Sequence, residues 1–350
     1  MTPSFCSSDK VIPSTLSEDP VTPPDFMNIK ARTPICTHYQ AAGVVCELST
    51  NAESLVKAAN DSFVLLKSRP ASIDFRVRIW ADERLESATP WPKPYVRGLD
   101  HLVFVGLDAG SSMLIDLADR REIGRFSSKL AADDLYLRSV VFPMMLSILS
   151  SSIGVVELHC ACVAKEEKGF LLFGPSGSGK STLSVALARC GFGFLSDDRT
   201  YCSRAEEGLC LWGIQTHLKL RGDAGVWFPE LKTSGPNEIH KGESVFRFQP
   251  ENPLGLERIR RCTPSWLIFL ERCNAPVAEI TKITSETAAE LLEKDLIAEA
   301  PDALESSMNI IRAMAELPCW SLRYGRHPTL VAREVAEHFA RIPAVYKVGV

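Results

Sequence analysis

The run Gly174-Pro175-Ser176-Gly177-Ser178-Gly179-Lys180-Ser181 fits the spacing G-x-x-x-x-G-K-[ST], and it constrains this chain more than any other segment. Glycines at those positions let consecutive backbone N–H groups turn inward, where they surround phosphate oxygens. The flanks suit that purpose. The apolar residues 170–173 predict a strand, and residues 180–190 predict a helix with Leu183, Ala186 and Leu187 on one face, stopped by Gly191. A helix starting there aims the positive end of its dipole at the same phosphates. Gly174, Pro175, Ser176, Gly177, Ser178, Gly179, Lys180, Ser181 and Thr182 are therefore the candidate nucleotide-binding residues. Lys180 would reach the β- and γ-phosphates, and the Ser181 hydroxyl would bind Mg²⁺. The plainer alternative is a glycine-rich strand-to-helix turn carrying a surface lysine.

The next strand, predicted over 192–195, runs into Ser196-Asp197-Asp198, 17 residues after Lys180 counted to Asp197. In an α/β sheet the C-terminal strand ends lie beside the phosphate loop, where ligands bind. One carboxylate there can hold Mg²⁺ and another can accept a proton from an attacking hydroxyl. Adjacent carboxylates repel, which raises one pKa towards neutrality and suits it to base duty. An ordinary aspartate-rich turn is the competing reading.

A chain of 350 residues accommodates two domains. We expect a tail at 1–27 too polar to order, a smaller α+β domain at 28–150, and an α/β phosphate-loop domain with C-terminal helices at 151–350. In the first domain, Phe75, Val77 and Ile79 alternate with Arg76, Arg78 and Trp80 as in a half-buried strand. Residues 101–107 and 113–117 predict two more strands around the turn Asp108-Ala109-Gly110. Residues 133–149 have helical spacing. Beyond 150, the runs 155–164 and 170–173 predict a hairpin, 209–214 and 217–220 predict strands, and 285–298, 301–316 and 329–340 predict helices.

Thirty-nine basic against 43 acidic residues, a net charge of −4, argue against a bulk nucleic-acid binder. The uncharged stretch 139–156 is long enough to resemble a membrane span, but it contains Pro143, five serines and Gly154. It reads as a buried helix, a turn at Ser150 to Ser152, and the start of a strand, so no membrane contact is expected. The first 24 residues carry no apolar segment, and the 11 cysteines include no C-x-x-C pair. Reduced thiols in a cytoplasmic setting follow as the expectation, with Cys160 and Cys162 sharing one strand face as core residues.

From Leu158-His159 through residues 174–182 to Leu195-Ser196-Asp197-Asp198, the sequence resembles the catalytic domain of HPr kinase/phosphorylase. That family has a strand histidine, a phosphate loop, a helix ended by glycine and a strand ended by paired aspartates. All four occur here in order. The resemblance is strong over 155–202, weaker to about 280 and does not extend before 150. It implies an α/β nucleotide-binding domain of the HPr kinase/PEP carboxykinase-like type, with ATP and Mg²⁺ as cofactors. The implied activity is a serine kinase acting on a small protein or peptide, and the implied assembly is a homo-oligomer of no fixed stoichiometry. Asp197 would then be the catalytic base, Lys180 a catalytic phosphate ligand, and Asp198 with Ser181 the metal ligands. His159, otherwise a packed histidine, would orient or tune an aspartate.

One departure concerns the family's later glutamate within Glu-Ile-Arg-Gly. The nearest segment here is Leu218-Lys219-Leu220-Arg221-Gly222, with Lys219 in the glutamate's place. A charged lysine does not ligate Mg²⁺ but can contact a phosphate. Phosphorylase activity is therefore not expected. The alternatives are an ATP-binding regulator without phosphotransfer, a small-molecule or carboxykinase-like enzyme, and a kinase of ribosomal peptide precursors. Arg221, Arg272 and Arg323 are further candidates for charge neutralisation, each more readily explained as a structural arginine. His217 and His327 have no partner at metal spacing, and Trp212 and Trp266 read as core residues.

Overall fold

The computed structural model describes residues 31–342, apart from 88, 207, 215–216, 234–237, 241–242, 275–276, 295–300 and 326, so the tail expected at 1–27 lies outside the described residues. Within them the chain is a mixed α/β protein with three sheets.

The first sheet comprises β1 (Ile35–Ala41), β2 (Val44–Thr50), β3 (Val64–Leu65), β4 (Phe75–Asp82), β5 (Tyr95–Leu99), β6 (Leu102–Gly106), β7 (Ser112–Asp116) and β8 (Arg121–Ser127), in the order β3-β1-β2-β4-β8-β7-β6-β5. The alternation read at Phe75 to Trp80 is realised in β4, where Phe75, Val77 and Ile79 are buried. β4 runs parallel to both β2 and β8. The turn between β6 and β7 is held by Asp108, whose Oδ1 accepts the backbone N–H groups of Gly110 at 2.7 Å and Ser111 at 2.6 Å. Leu55, Ala58 and Ala59 of the helix Glu53–Ser62, and Phe142, Met145 and Leu146 of the helix Phe142–Ser151, belong to the same core as the sheet's buried residues. Tyr201 and Ile214 from the second half of the chain join this core, and the Tyr201 hydroxyl donates to the Pro143 carbonyl at 3.4 Å.

The stretch 139–156 folds into the end of a π-helical turn, the helix Phe142–Ser151, a turn and the first residue of the next strand. No helix among the described residues is long and apolar enough to cross a membrane.

The second sheet contains β9 (Val156–Leu158), β10 (Ala161–Lys165), β11 (Lys168–Phe173), β12 (Gly193–Ser196), β13 (Thr200–Ala205) and β14 (Gly208–Trp212). After β15 (Leu218–Arg221), β16 (Glu238–His240) and β17 (Glu243–Phe248), which form the small third sheet, come β18 (Arg261–Arg272), β19 (Glu279–Ile283) and β20 (Cys319–Tyr324). The order is β12-β10-β11-β18-β14-β13-β9, with β20 added to β18 and β19 to β20. β18 has no counterpart among the strands predicted from sequence. Its run Trp266-Leu267-Ile268-Phe269-Leu270 does not alternate, because a strand parallel to both neighbours β11 and β20 is covered on both faces.

The apolar run 155–164 is two strands. Leu158 of β9 pairs with Thr200 of β13, whereas β10 pairs with β11 and β12. His159 and Cys160 form the break, where the Cys160 N–H reaches the Leu158 carbonyl at 2.9 Å. Cys160 thus leaves the strand face expected for it, although both it and Cys162 are buried. Cys162 Sγ lies 3.9 Å from Cys262 Sγ, and burial holds its thiol well above the ordinary range, consistent with packing rather than reactivity.

The helix Lys180–Arg189 packs against the helix Pro328–Ala340, and Leu183, Ala186, Leu187, Val331, Val335 and Phe339 of the two belong to one core. Trp266 is buried beneath them and stacks on Phe170 at 4.5 Å, whereas Trp212 is only partly buried, at the margin of the first core. The helices Ser285–Glu293, Pro301–Ala315 and Pro328–Ala340 stand at the three positions expected for helices, the expected residues 295–298 of the first lying outside the described residues.

Candidate active site

β10 runs antiparallel to both β11 and β12, so β11 and β12 point the same way two strands apart. Their C-terminal ends, and the start of β10, therefore meet at one edge of the sheet. The glycine-rich loop leaves β11 there, Asp197 and Asp198 follow β12, and His159 precedes β10 by two residues. Topology alone brings the three segments together.

The loop's backbone requires its glycines. Gly174, Gly177 and Gly179 have φ of +146°, +87° and +95°. A Cβ on Gly174 would meet Ser178 Oγ at 2.7 Å and the Leu270 carbonyl at 2.9 Å, and one on Gly179 would overlap the Tyr324 hydroxyl. Pro175, Ser176 and Gly177 are exposed, and Ser178 and Lys180 are buried. Lys180 Nζ donates to the Gly174 carbonyl at 2.5 Å, which holds the ammonium inside the loop. Gly179 caps the following helix without any side-chain acceptor, so the first N–H groups of that helix have no side-chain cap. Ser178 Oγ is buried without a hydrogen-bond partner. Donors gathered in a glycine cradle, beside one ammonium and one orphaned hydroxyl, fit a polyphosphate chemically. Ser181 and Thr182, on the first turn of the helix, are partly exposed.

The two aspartates occupy different environments. Asp197 is buried, and burial together with the neighbouring charge of Asp198 pushes its pKa up to about 7. Its Oδ2 accepts the backbone N–H of Lys219 at 3.2 Å. Asp198 is exposed, and His159 Nε2 lies 2.9 Å from its Oδ1. The hydrogen bond from His159 holds the Asp198 carboxyl below the usual carboxylate range, and the positive charges of His159, Arg199 and Lys180 act in the same direction. Lys180 is thus within electrostatic reach of Asp198, which ties the loop to the aspartate pair.

Residues not singled out from sequence hold this geometry. Ser196 Oγ and Thr200 Oγ1 are 2.6 Å apart across the aspartate turn, and Thr200 Oγ1 also donates to the Cys160 carbonyl at 3.1 Å. The Tyr324 hydroxyl donates to the Ser178 carbonyl at 2.8 Å from beneath the loop. The spacing S-x-x-x-T around the aspartates is visible in sequence, but Tyr324 lies 146 residues from its partner and gives no local signal.

The three arginines separate. Arg221 has its guanidinium nitrogens 3.8 Å from where a Cβ on Gly177 would lie, so it reaches the loop, while also pairing with Glu243 at 3.4 Å. Arg272 lies over the Tyr324 ring at 5.1 Å. Arg323 pairs with Glu271 and Glu279 on the surface. His327 caps the helix Pro328–Ala340 through the Thr329 N–H, and His217 Nε2 lies 3.5 Å from Gln249 Nε2. Neither approaches the aspartates as a ligand partner in the described residues.

No family model matches the chain, and no curated protein matches it. Among solved structures it is similar to the HPr(Ser) kinase/phosphatase from Coxiella burnetii, over 53% of this chain and 97% of that one, at 13% identity and a TM-score of 0.30. That is a distant structural relation, spanning about half of this protein.

Proposed function

We propose that this chain is an ATP-dependent phosphotransferase of the HPr-kinase type, moving the γ-phosphate to a serine hydroxyl on a small protein or peptide. The observation that carries the reading is the split between Asp197 and Asp198: one buried with its pKa near 7, the other ionised and electrostatically linked to Lys180. A kinase site needs such a division, a base near neutrality beside a permanent anion for the metal.

In this reading the loop 174–182 holds ATP, with Lys180 on the β- and γ-phosphates. Ser181 and Asp198 hold Mg²⁺, which when bound neutralises phosphate charge. Asp197 takes the proton as the serine oxygen forms its bond to phosphorus and the bond to the ADP oxygen breaks. His159 positions Asp198. Lys219 meets Asp197 through its backbone N–H, a contact that any non-proline residue at that position can make. Loss of the family's glutamate therefore removes a metal ligand without removing this support for the base, which favours a kinase lacking the reverse, phosphorolytic reaction.

The test uses the purified full chain, γ-labelled ATP, Mg²⁺ and lysate from its own source as the acceptor pool. A labelled protein or peptide band that needs both Lys180 and Asp197 supports the kinase. Nucleotide binding that depends on Lys180, with no label transferred by the wild type, would replace it with an ATP-binding regulator. Label on free serine or another metabolite would indicate a small-molecule kinase.

A further inference from the structure

We propose that Cys36, His38 and Glu47, on the outer face of the first sheet, form a binding site for a zinc-class divalent ion, separate from the phosphate loop.

The hairpin between β1 and β2 sets the arrangement. Its two loop residues, Ala42 and Gly43, have φ of +51° and +84°, and Ala41 pairs with Val44 across them. Two positive φ values in a two-residue loop are those of a type I′ turn, which matches the twist of the strands and fixes their register. In that register His38 lies opposite Glu47, and Cys36 is two residues from His38, on the same face. Tyr39, Ala41, Leu48 and Thr50 point into the core, so the alternate positions that include the three donors face outward.

The donor atoms already converge. Cys36 Sγ, a ring nitrogen of His38 and a carboxylate oxygen of Glu47 lie within 4.8 Å of one another, and His38 Nε2 is 3.3 Å from Glu47 Oε2. With metal–ligand bonds of about 2.0–2.3 Å, tetrahedral donors stand roughly 3.3–3.8 Å apart. Side-chain rotation of Cys36 and Glu47 covers the remaining distance. Cys36 is exposed, which leaves the fourth coordination position facing water.

The second Glu47 oxygen, Oε1, is 3.9 Å from Arg76 Nε. That is a long ion pair rather than a hydrogen bond, and Oε2 is the oxygen turned towards His38. Thiolate, imidazole and carboxylate together select a borderline-soft ion such as Zn²⁺ and disfavour Mg²⁺, which takes hard oxygen ligands. The site therefore does not compete for the ion expected at the phosphate loop.

The experiment titrates the reduced full-length protein with Co²⁺, without nucleotide, and follows the thiolate-to-cobalt charge-transfer absorption. One Co²⁺ per chain is expected to produce that band, Zn²⁺ to abolish it by displacement, and excess Mg²⁺ to leave it unchanged. Cys36→Ser removes the band, and His38→Ala weakens Co²⁺ binding at least tenfold. Cys190→Ser and Cys273→Ser, at two other partly exposed thiols, retain it. Zn²⁺ also raises the melting temperature of the wild type but not that of Cys36→Ser, whose fold is checked by circular dichroism. The absence of a band in the wild type, or a band that survives Cys36→Ser, overturns the proposal.

Discussion

His159, in the break before β10, and Asp198, just after β12, are paired at 2.9 Å at the sheet edge that carries the glycine-rich loop. The pair is exposed, so its worth to folding is small, less than about 1 kcal/mol. Its effect on the carboxylate is the larger one. His159→Ala should leave denaturant stability nearly unchanged while weakening the apparent Mg²⁺ affinity of phosphotransfer about tenfold or more, as the loss of an outer partner does. A large stability loss with unaltered Mg²⁺ dependence would mean that the histidine is merely structural.

Lys180→Ala should reduce phosphotransfer by about 10²–10³-fold, the cost typical of losing one preorganised charge-stabilising donor. Nucleotide affinity should fall as well, because the ammonium now held on the Gly174 carbonyl is the cation within the cradle. Binding measured by calorimetry and transfer measured with labelled ATP check the two effects separately.

Asp197 gives the site its pH dependence. With a pKa near 7, it is protonated in acid and accepts a proton only above that value. Transfer should rise through pH 7 and level off, and Asp197→Asn should abolish the rise together with most of the rate. Stability moves in the opposite direction. Between about pH 4 and 7 the folded chain keeps a proton that the unfolded chain has released, so this group makes stability fall as pH rises through that window. Asp197→Asn should therefore stabilise the protein at pH 8 relative to pH 4, a gain in stability at the expense of activity. Equilibrium urea unfolding at the two pH values is the measurement.

Glu122 offers the same sign far from the site. It is buried in β8, neither carboxyl oxygen has a hydrogen-bond partner, and burial pushes its pKa up to about 8. Stability should fall as pH rises from about 4.5 to 8, and Glu122→Gln should flatten that slope. Since the residue lies in the first sheet, phosphotransfer assayed at one pH should hardly change.

Tyr324→Phe removes the hydrogen bond to the Ser178 carbonyl and should cost about 1 kcal/mol. The loop loses its support from below, so KM for ATP should rise several-fold with a smaller change in kcat. Gly179→Ala should be worse on both counts, since it strains a φ of +95° and overlaps the same hydroxyl.

The glycine-rich loop, its flanking strand and helix, and the position of the adjacent aspartates were legible because each is local. Glycine spacing, a short apolar run and a helical repeat within some 30 residues need no distant partner to be recognised. The alternation in β4 and the turn at Asp108 were readable for the same reason. What tertiary structure decided is which of these local pieces share an edge. The run 155–164 gave no sign of breaking at His159, because both halves are apolar and differ only in the neighbours they pair with, β13 for one and β10's partners β11 and β12 for the other. The unlike environments of Asp197 and Asp198 were likewise hidden in identical side chains. Burial of one and the contact of the other with His159 separate their protonation, and both depend on residues brought in from other strands. β18, Tyr324 beneath the loop, and the gathering of Cys36, His38 and Glu47 across a hairpin are long-range or register-dependent facts. A sequence specifies local conformation through side-chain period and backbone sterics, whereas charge, desolvation and metal-donor geometry act between groups only once pairing has set their distances.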